Sequence, residues 1–199
     1  MAISRVSQST VKEGLEKSTS FFAGIPPILG RFESIQTITV GSGGAASIEL
    51  TSIPSTYQHL QIRLIGRTNR TQARESMDFR LNGVTSSSYA YHFIYGDGSS
   101  VSAGAGASQT LIDSFDFAGA TATASIFGAA IIDILDYAVT SKNKTVRVFG
   151  GADRNGAGLV ALSSGLLTST DAVTSVTIFP ANGNNFVQYS TAALYGIRS

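Results

Sequence analysis

Ile48-Glu-Leu-Thr-Ser-Ile-Pro-Ser-Thr-Tyr-Gln-His-Leu-Gln-Ile-Arg-Leu-Ile-Gly-Arg67 is the stretch whose reading decides the fold class. In its second half Leu60, Ile62 and Leu64 alternate with His59, Gln61 and Arg63, the period-two pattern of a strand with one buried face. Pro54 ends the run before it, because proline has no N–H to give to a ladder and turns Ile53 away from helix. The stretch reads as an amphipathic pair of strands, with His59, Gln61 and Arg63 forming a polar outer row open to subunit contact.

The chain on either side repeats the same grammar. Ile35 to Val40 and Ala45 to Leu50 are strands joined through Gly41-Ser-Gly-Gly44, glycine reaching tight-turn geometry at little steric cost. Met77, Phe79 and Leu81 alternate with Asp78 and Arg80 ahead of the turn dipeptide Asn82-Gly83. Tyr89, Tyr91, Phe93 and Tyr95 share one face of the next strand, and Ala90, His92 and Ile94 share the other. Ser99 to Ser108 carries almost nothing to pack and reads as a flexible loop. Leu111 to Phe117 is a strand. Ser125 to Tyr137 is long enough for a buried helix, but its β-branched isoleucines favour a strand apolar on both faces. Thr145 to Phe149, Leu159 to Leu167, Val173 to Phe179 and Phe186 to Ile197 follow, punctuated by Asn155-Gly156 and Asn182-Gly183. About ten strands with frequent turns mean an all-β, antiparallel β-sandwich or jelly roll over residues 33–199.

Residues 1–32 differ. Thr10-Val-Lys-Glu13 has the capping-box pattern, in which threonine and glutamate satisfy each other's orphan N–H groups, and predicts a short helix to about Lys17. Gly14 weakens that helix. Phe21, Phe22, Ile25, Ile28 and Leu29 then gather around Pro26-Pro27, which forbids regular structure there. An apolar arm unable to fold alone needs a surface, either its own domain or a neighbouring subunit. Its candidate contact residues are Arg5, Val6, Val11, Leu15, Phe21, Phe22 and Ile25.

Composition narrows the function classes. A chain of 199 residues, 43% apolar, can bury a sizeable core without staples, and it has no cysteine. Fourteen basic against thirteen acidic side chains give a net charge of +1, which argues against a nucleic-acid coat. Arg63, Arg67, Arg70, Arg74 and Arg80 cluster, but Glu75 and Asp78 interrupt them. The run Ile126 to Ile132 stops at Asp133, far short of a membrane span, and no secretory signal is expected from Met-Ala-Ile-Ser-Arg-Val6.

No motif of catalysis stands out. His59 and His92 are the only histidines, each inside a strand, without His-x-x-x-His or Gly-x-Ser-x-Gly. Asp113 with Asp116, and Asp133 with Asp136, stand three apart, which on a regular strand puts partners on opposite faces. Asp153-Arg-Asn-Gly156 lacks the distal glutamate of a calcium loop, and there is no phosphate loop. A non-enzymatic protein without metal or cofactor is expected. The face of Tyr89, Tyr91 and Tyr95 is a candidate ligand face, with core packing the competing reading.

Several stretches resemble small structural proteins of tailed bacteriophages of aquatic bacteria: Phe32-Glu-Ser-Ile-Gln-Thr-Ile-Thr-Val-Gly-Ser-Gly-Gly44, Ile53 to Arg63, Tyr89-Ala-Tyr-His-Phe-Ile-Tyr-Gly-Asp-Gly98, Ile131 to Tyr137, and Gln188 to Arg198. The resemblance implies a virion component with no catalytic residue. The expected role is a head decoration, or cement, protein on the outer surface of the particle. It would be a trimer bound to the major capsid protein and would contact neither nucleic acid nor membrane. The alternative is a tail-associated, glycan-binding host-recognition module.

Overall fold

A computed structural model describes residues 32–198. Among them are twelve strands and no helix: β1 (Phe32–Thr39), β2 (Ile48–Leu50), β3 (His59–Gly66), β4 (Arg74–Leu81), β5 (Tyr89–Gly96), β6 (Val101–Gln109), β7 (Ile112–Ala118), β8 (Gly128–Leu135), β9 (Lys144–Asp153), β10 (Gly158–Leu167), β11 (Val176–Pro180) and β12 (Thr191–Ile197). Two sheets result, an eight-stranded one in the order β1-β12-β3-β8-β9-β10-β5-β6 and a four-stranded one in the order β2-β11-β4-β7. All pairings between these strands are antiparallel, and the sheets pack as a β-sandwich. The helix predicted after Thr10 lies outside the described residues.

The alternation in β3 does what its pattern requires. Leu60, Ile62 and Leu64 are buried, and with Ile132 and Ile134 of β8, Val146 of β9 and Leu194 of β12 they form the core face of the large sheet. Ile48 and Leu50 of β2, Met77 and Phe79 of β4, Ile178 of β11 and Phe117 of β7 form the opposing core. Each fully buried aliphatic or aromatic side chain contributes about 1.5–3 kcal/mol, so this interior is the main source of stability.

Two expectations about connectivity are corrected. β2 and β3 are not a pair: β2 joins β11 in the small sheet, while β3 lies between β12 and β8 in the large one. The link between them crosses the edge of the sandwich. It is pinned by the Ile53 N–H donating to the Thr174 carbonyl at 3.0 Å, and by the Tyr137 hydroxyl donating to the Pro54 carbonyl. Likewise Gly41 to Gly44 leads from β1, paired to β12, into the other sheet and closes no hairpin. Period two reveals which face of a strand is buried but not which strand lies beside it.

Residues 101–109 are strand β6, not a loop. The reason lies across the ladder, where Gly104 and Gly106 stand opposite Phe93 and Tyr91. A Cβ on Gly104 would come within 2.5 Å of the Phe93 ring, and one on Gly106 within 2.7 Å of the Tyr91 ring. The aromatic rings of β5 lie over bare backbone and supply the packing that β6 lacks. Asn155-Gly156 is a hairpin turn, as its sequence predicts, with both residues at positive φ (66° and 96°) between β9 and β10.

Candidate interaction surface

The eight-stranded sheet has one face in the core and one facing outward, and the register of its ladders arranges the outward side chains in rows. One row runs Arg63, Ile131, Phe149, Leu162, Ile94 and Ala103 over β3, β8, β9, β10, β5 and β6, each residue directly opposite the next. Four of these are large apolar side chains with substantial exposure: Ile131 39%, Phe149 53%, Leu162 55% and Ile94 48%. A second row, two residues along, reads Gln61, Asp133, Arg147, Ser164, His92 and Ala105. The third row, on the other side, reads Ile65, Ala129, Gly151, Val160, Gly96 and Val101, with Ile65, Val160 and Val101 more than half exposed.

An apolar band flanked on one side by polar groups is the anatomy of a contact surface, because isolated exposed apolar side chains are ordinary but a contiguous band is not. Two hollows flank Phe149. One, of about 670 Å³, is lined by Gln61, His92, Asp133 and Arg147; the other, of about 460 Å³, by Ile65, Gly151 and Val160. The Gln61 side-chain amide donates to Asp133 Oδ1 at 2.9 Å, and Arg147 makes no ion pair among the described residues.

The outer row predicted from β3 borders this surface. Arg63 Nε donates to Gln61 Oε1 at 3.3 Å, and its guanidinium lies over the Phe32 and Tyr195 rings at 5.1 and 5.6 Å, a cation–π arrangement. His59 is tied to the end of β8, its Nδ1 accepting the Asp136 N–H at 3.0 Å. Arg5, Val6, Val11, Leu15, Phe21, Phe22 and Ile25 lie outside the described residues.

The tyrosine face turns inward. Tyr89 is buried, and its hydroxyl accepts the Leu81 N–H at 3.0 Å and donates to the Leu81 carbonyl, so it is a packing residue and not part of a ligand face. Tyr91 and Tyr95 are half-buried against the core and stack on either side of Phe93, with ring centroids 6.3 and 6.1 Å apart.

The carboxylates depart from simple alternation. A bulge in the β4–β7 ladder between Met77 and Asp78 brings Asp113 and Asp116 onto the same cleft, of about 90 Å³, instead of opposite faces. That volume is far below the roughly 300–1,000 Å³ of ordinary ligand sites. The same register sets Asp78 opposite Asp113. Burial pushes the Asp78 carboxyl up to about 7, the Asp113 carboxylate adding to the shift, Arg80 opposing it and Glu75 adding again. Asp113 is raised too, first by burial and then by Asp116. On the outer face Asp133 accepts from Gln61, while Asp136 sits in the turn after β8 and is lowered chiefly by the Lys142 ammonium, 2.7 Å away.

Other buried charges are structural. The Arg67 guanidinium donates to the carbonyls of Ala120, Ala122, Thr123 and Ile126 at 2.8–3.2 Å and holds the β7–β8 connection in place. Glu75, fully buried, accepts from the side-chain amides of Asn182 and Asn184 at 2.5 and 2.6 Å and anchors the connection after β11. Among the described residues no group of three or more His, Cys, Asp or Glu side chains could hold a metal ion, and no helix is long and apolar enough to cross a membrane.

The outward apolar row was visible only as doubled hydrophobicity. Ile131-Ile132-Asp133-Ile134 and Val146 to Phe149 carry apolar residues on both faces, but only the ladder register shows that the outward members line up. No protein-family model, curated protein or solved structure matches this chain.

Proposed function

We propose that the chain is a non-enzymatic structural component of a tailed-bacteriophage particle, a decoration protein of jelly-roll type that stabilises the head by binding its assembled lattice. The observation that carries the reading is the row Ile131–Phe149–Leu162–Ile94, an exposed apolar band across adjacent strands of the eight-stranded sheet. It is joined by the stretches that resemble virion proteins. A sheet presenting such a band works by contact. Binding that requires the assembled lattice stabilises that state by mass action.

Particles stripped of the chain are expected to lose head integrity under heat and osmotic shock, and added protein to restore it. The double variant Phe149→Ala, Leu162→Ala changes only exposed side chains and should keep the fold, yet bind about 30-fold more weakly, as for loss of about 2 kcal/mol of interface contact. Heads equally robust without the protein would contradict the reading.

A second reading, a tail-associated glycan-binding module, draws on the hollow in which Gln61, Asp133, Arg147 and His92 stand beside Phe149. Saturable binding on a glycan array, abolished by Arg147→Ala, would favour it.

A further inference from the structure

We infer that, off the lattice, the outer face of the eight-stranded sheet binds a second copy of this chain, around a two-fold axis parallel to the strands and running between β9 and β10. The inference rests on the reading of this face as a contact surface and names one occupant of it.

The six strands β3, β8, β9, β10, β5 and β6 form two sets of three on either side of that line. A two-fold rotation about it lays β9 over β10 of the second copy, β8 over β5 and β3 over β6, while each row stays at its own height. In the apolar row Phe149 then meets Leu162 of the second copy, and Ile131 meets Ile94. In the polar row Asp133 meets His92 and Arg147 meets Ser164. In the third row Ile65 meets Val101, and Val160 faces the bare backbone of Gly151. Arg63 falls on Ala103.

The position of the axis follows from charge. Centred on β9, the rotation would set Arg147 against Arg147; centred on β10, it would set Arg147 against His92. Placed between β8 and β9, it would press Arg63 onto Leu162. Between β9 and β10 no like charges meet, the apolar residues face one another, and the carboxylate meets the imidazole.

The area suffices. Six strands about 4.8 Å apart, and three rows spaced two residues along the strand, span about 600 Å² per copy and about 1,200 Å² in total, at the small end of specific interfaces. The twist of each sheet lifts its edges away from the other copy, so the contact is tightest at the Phe149–Leu162 pair beside the axis.

The chain has no cysteine, so single thiols can be placed at will. Ile131→Cys and Ile94→Cys proteins, whose self-pairs lie three strands apart across the axis, mixed and treated with a short bismaleimide of about 8 Å span, should cross-link to each other at least tenfold faster than either does alone. In sedimentation velocity the unmodified full chain should show a monomer–dimer equilibrium in the micromolar range. Leu162→Glu, an exposed position, should shift it to monomer without changing the far-ultraviolet spectrum. A chain monomeric at all concentrations overturns the inference, and so does self-cross-linking of Ile131→Cys as fast as the mixed reaction. A monomer that still restores stripped heads through this face defeats the dimer and leaves the proposed function standing. A dimer that restores nothing does the reverse.

Discussion

Arg67→Ala is expected to lower the unfolding free energy by about 3 kcal/mol, among the largest effects of any single substitution in the sandwich. Arg67 is 9% exposed, and its guanidinium donates to four carbonyls of the β7–β8 connection, at 2.8, 2.9, 2.9 and 3.2 Å. Hydrogen bonds to a charged group contribute about 1.5–3 kcal/mol each before rehydration of the freed partners, and the loop carbonyls can regain water once released. The net cost is therefore below the sum. Arg67→Lys keeps the charge but concentrates three donors at one point, so it should recover less than half of the loss. Denaturant titration of the three proteins checks this, with limited proteolysis across residues 119–127 as the local readout. A loss under about 1 kcal/mol for the alanine variant would show that the loop holds itself.

Stability should fall as pH rises from about 4 to about 7, with Asp78 the main cause. Its carboxyl is pushed up to about 7 in the folded protein by burial, by the facing Asp113 and by Glu75, against the opposing pull of Arg80. The unfolded chain has released this proton above the ordinary value of 3.8 while the folded protein still holds it. Between those values the native state binds more protons, so raising pH favours unfolding. Below pH 4 the penalty is absent, and above about 7 it is complete, at up to about 4 kcal/mol. Asp113, shifted in the same direction, adds to the slope. Glu33, Asp97 and Asp136 are held below their ordinary values, chiefly by hydrogen bonds from Arg198, Ser100 and Lys142 respectively. Their contributions are present above the unfolded carboxylate range and are lost only in stronger acid. Asp78→Asn should flatten the profile between pH 4 and 7 and be the more stable protein at pH 8. Thermal or urea midpoints measured across that range decide it; an upward slope with pH, or a variant that tracks the parent, would contradict the assignment.

How much of this was legible in the residues differs from element to element. The alternation from His59 to Leu64 and the dipeptide Asn155-Gly156 announce a strand and a hairpin, because burial of one face and positive φ are local demands. Strand partners are not local. Nothing in Ile48 to Arg67 shows that its two strands serve different sheets, and the crossing depends on Thr174 and Tyr137, more than 80 residues away. β6 stayed hidden because its packing is supplied by Tyr91 and Phe93 of the neighbouring strand, so its glycines look like slack when read alone. The bulge that turns Asp113 and Asp116 to one cleft has no signature in their spacing. The candidate surface shows the same limit. Gln61 and Arg63 could be assigned to an outer row from β3 itself, but Phe149, Leu162 and Ile94 join them only through register across four further strands. Tyr89, conspicuous in sequence, is buried instead, with its hydroxyl bound to the backbone of Leu81.

The proposed function requires that this sandwich work by contact through the outer face of its large sheet, on the head of a particle. An electron cryomicroscopy map of the assembled particle, at a resolution that places the two sheets, tests it most directly. Copies are expected on the head lattice with the Phe149–Leu162 face covered by protein; copies confined to the tail, or head-bound copies with that face open to solvent, would contradict the proposed function.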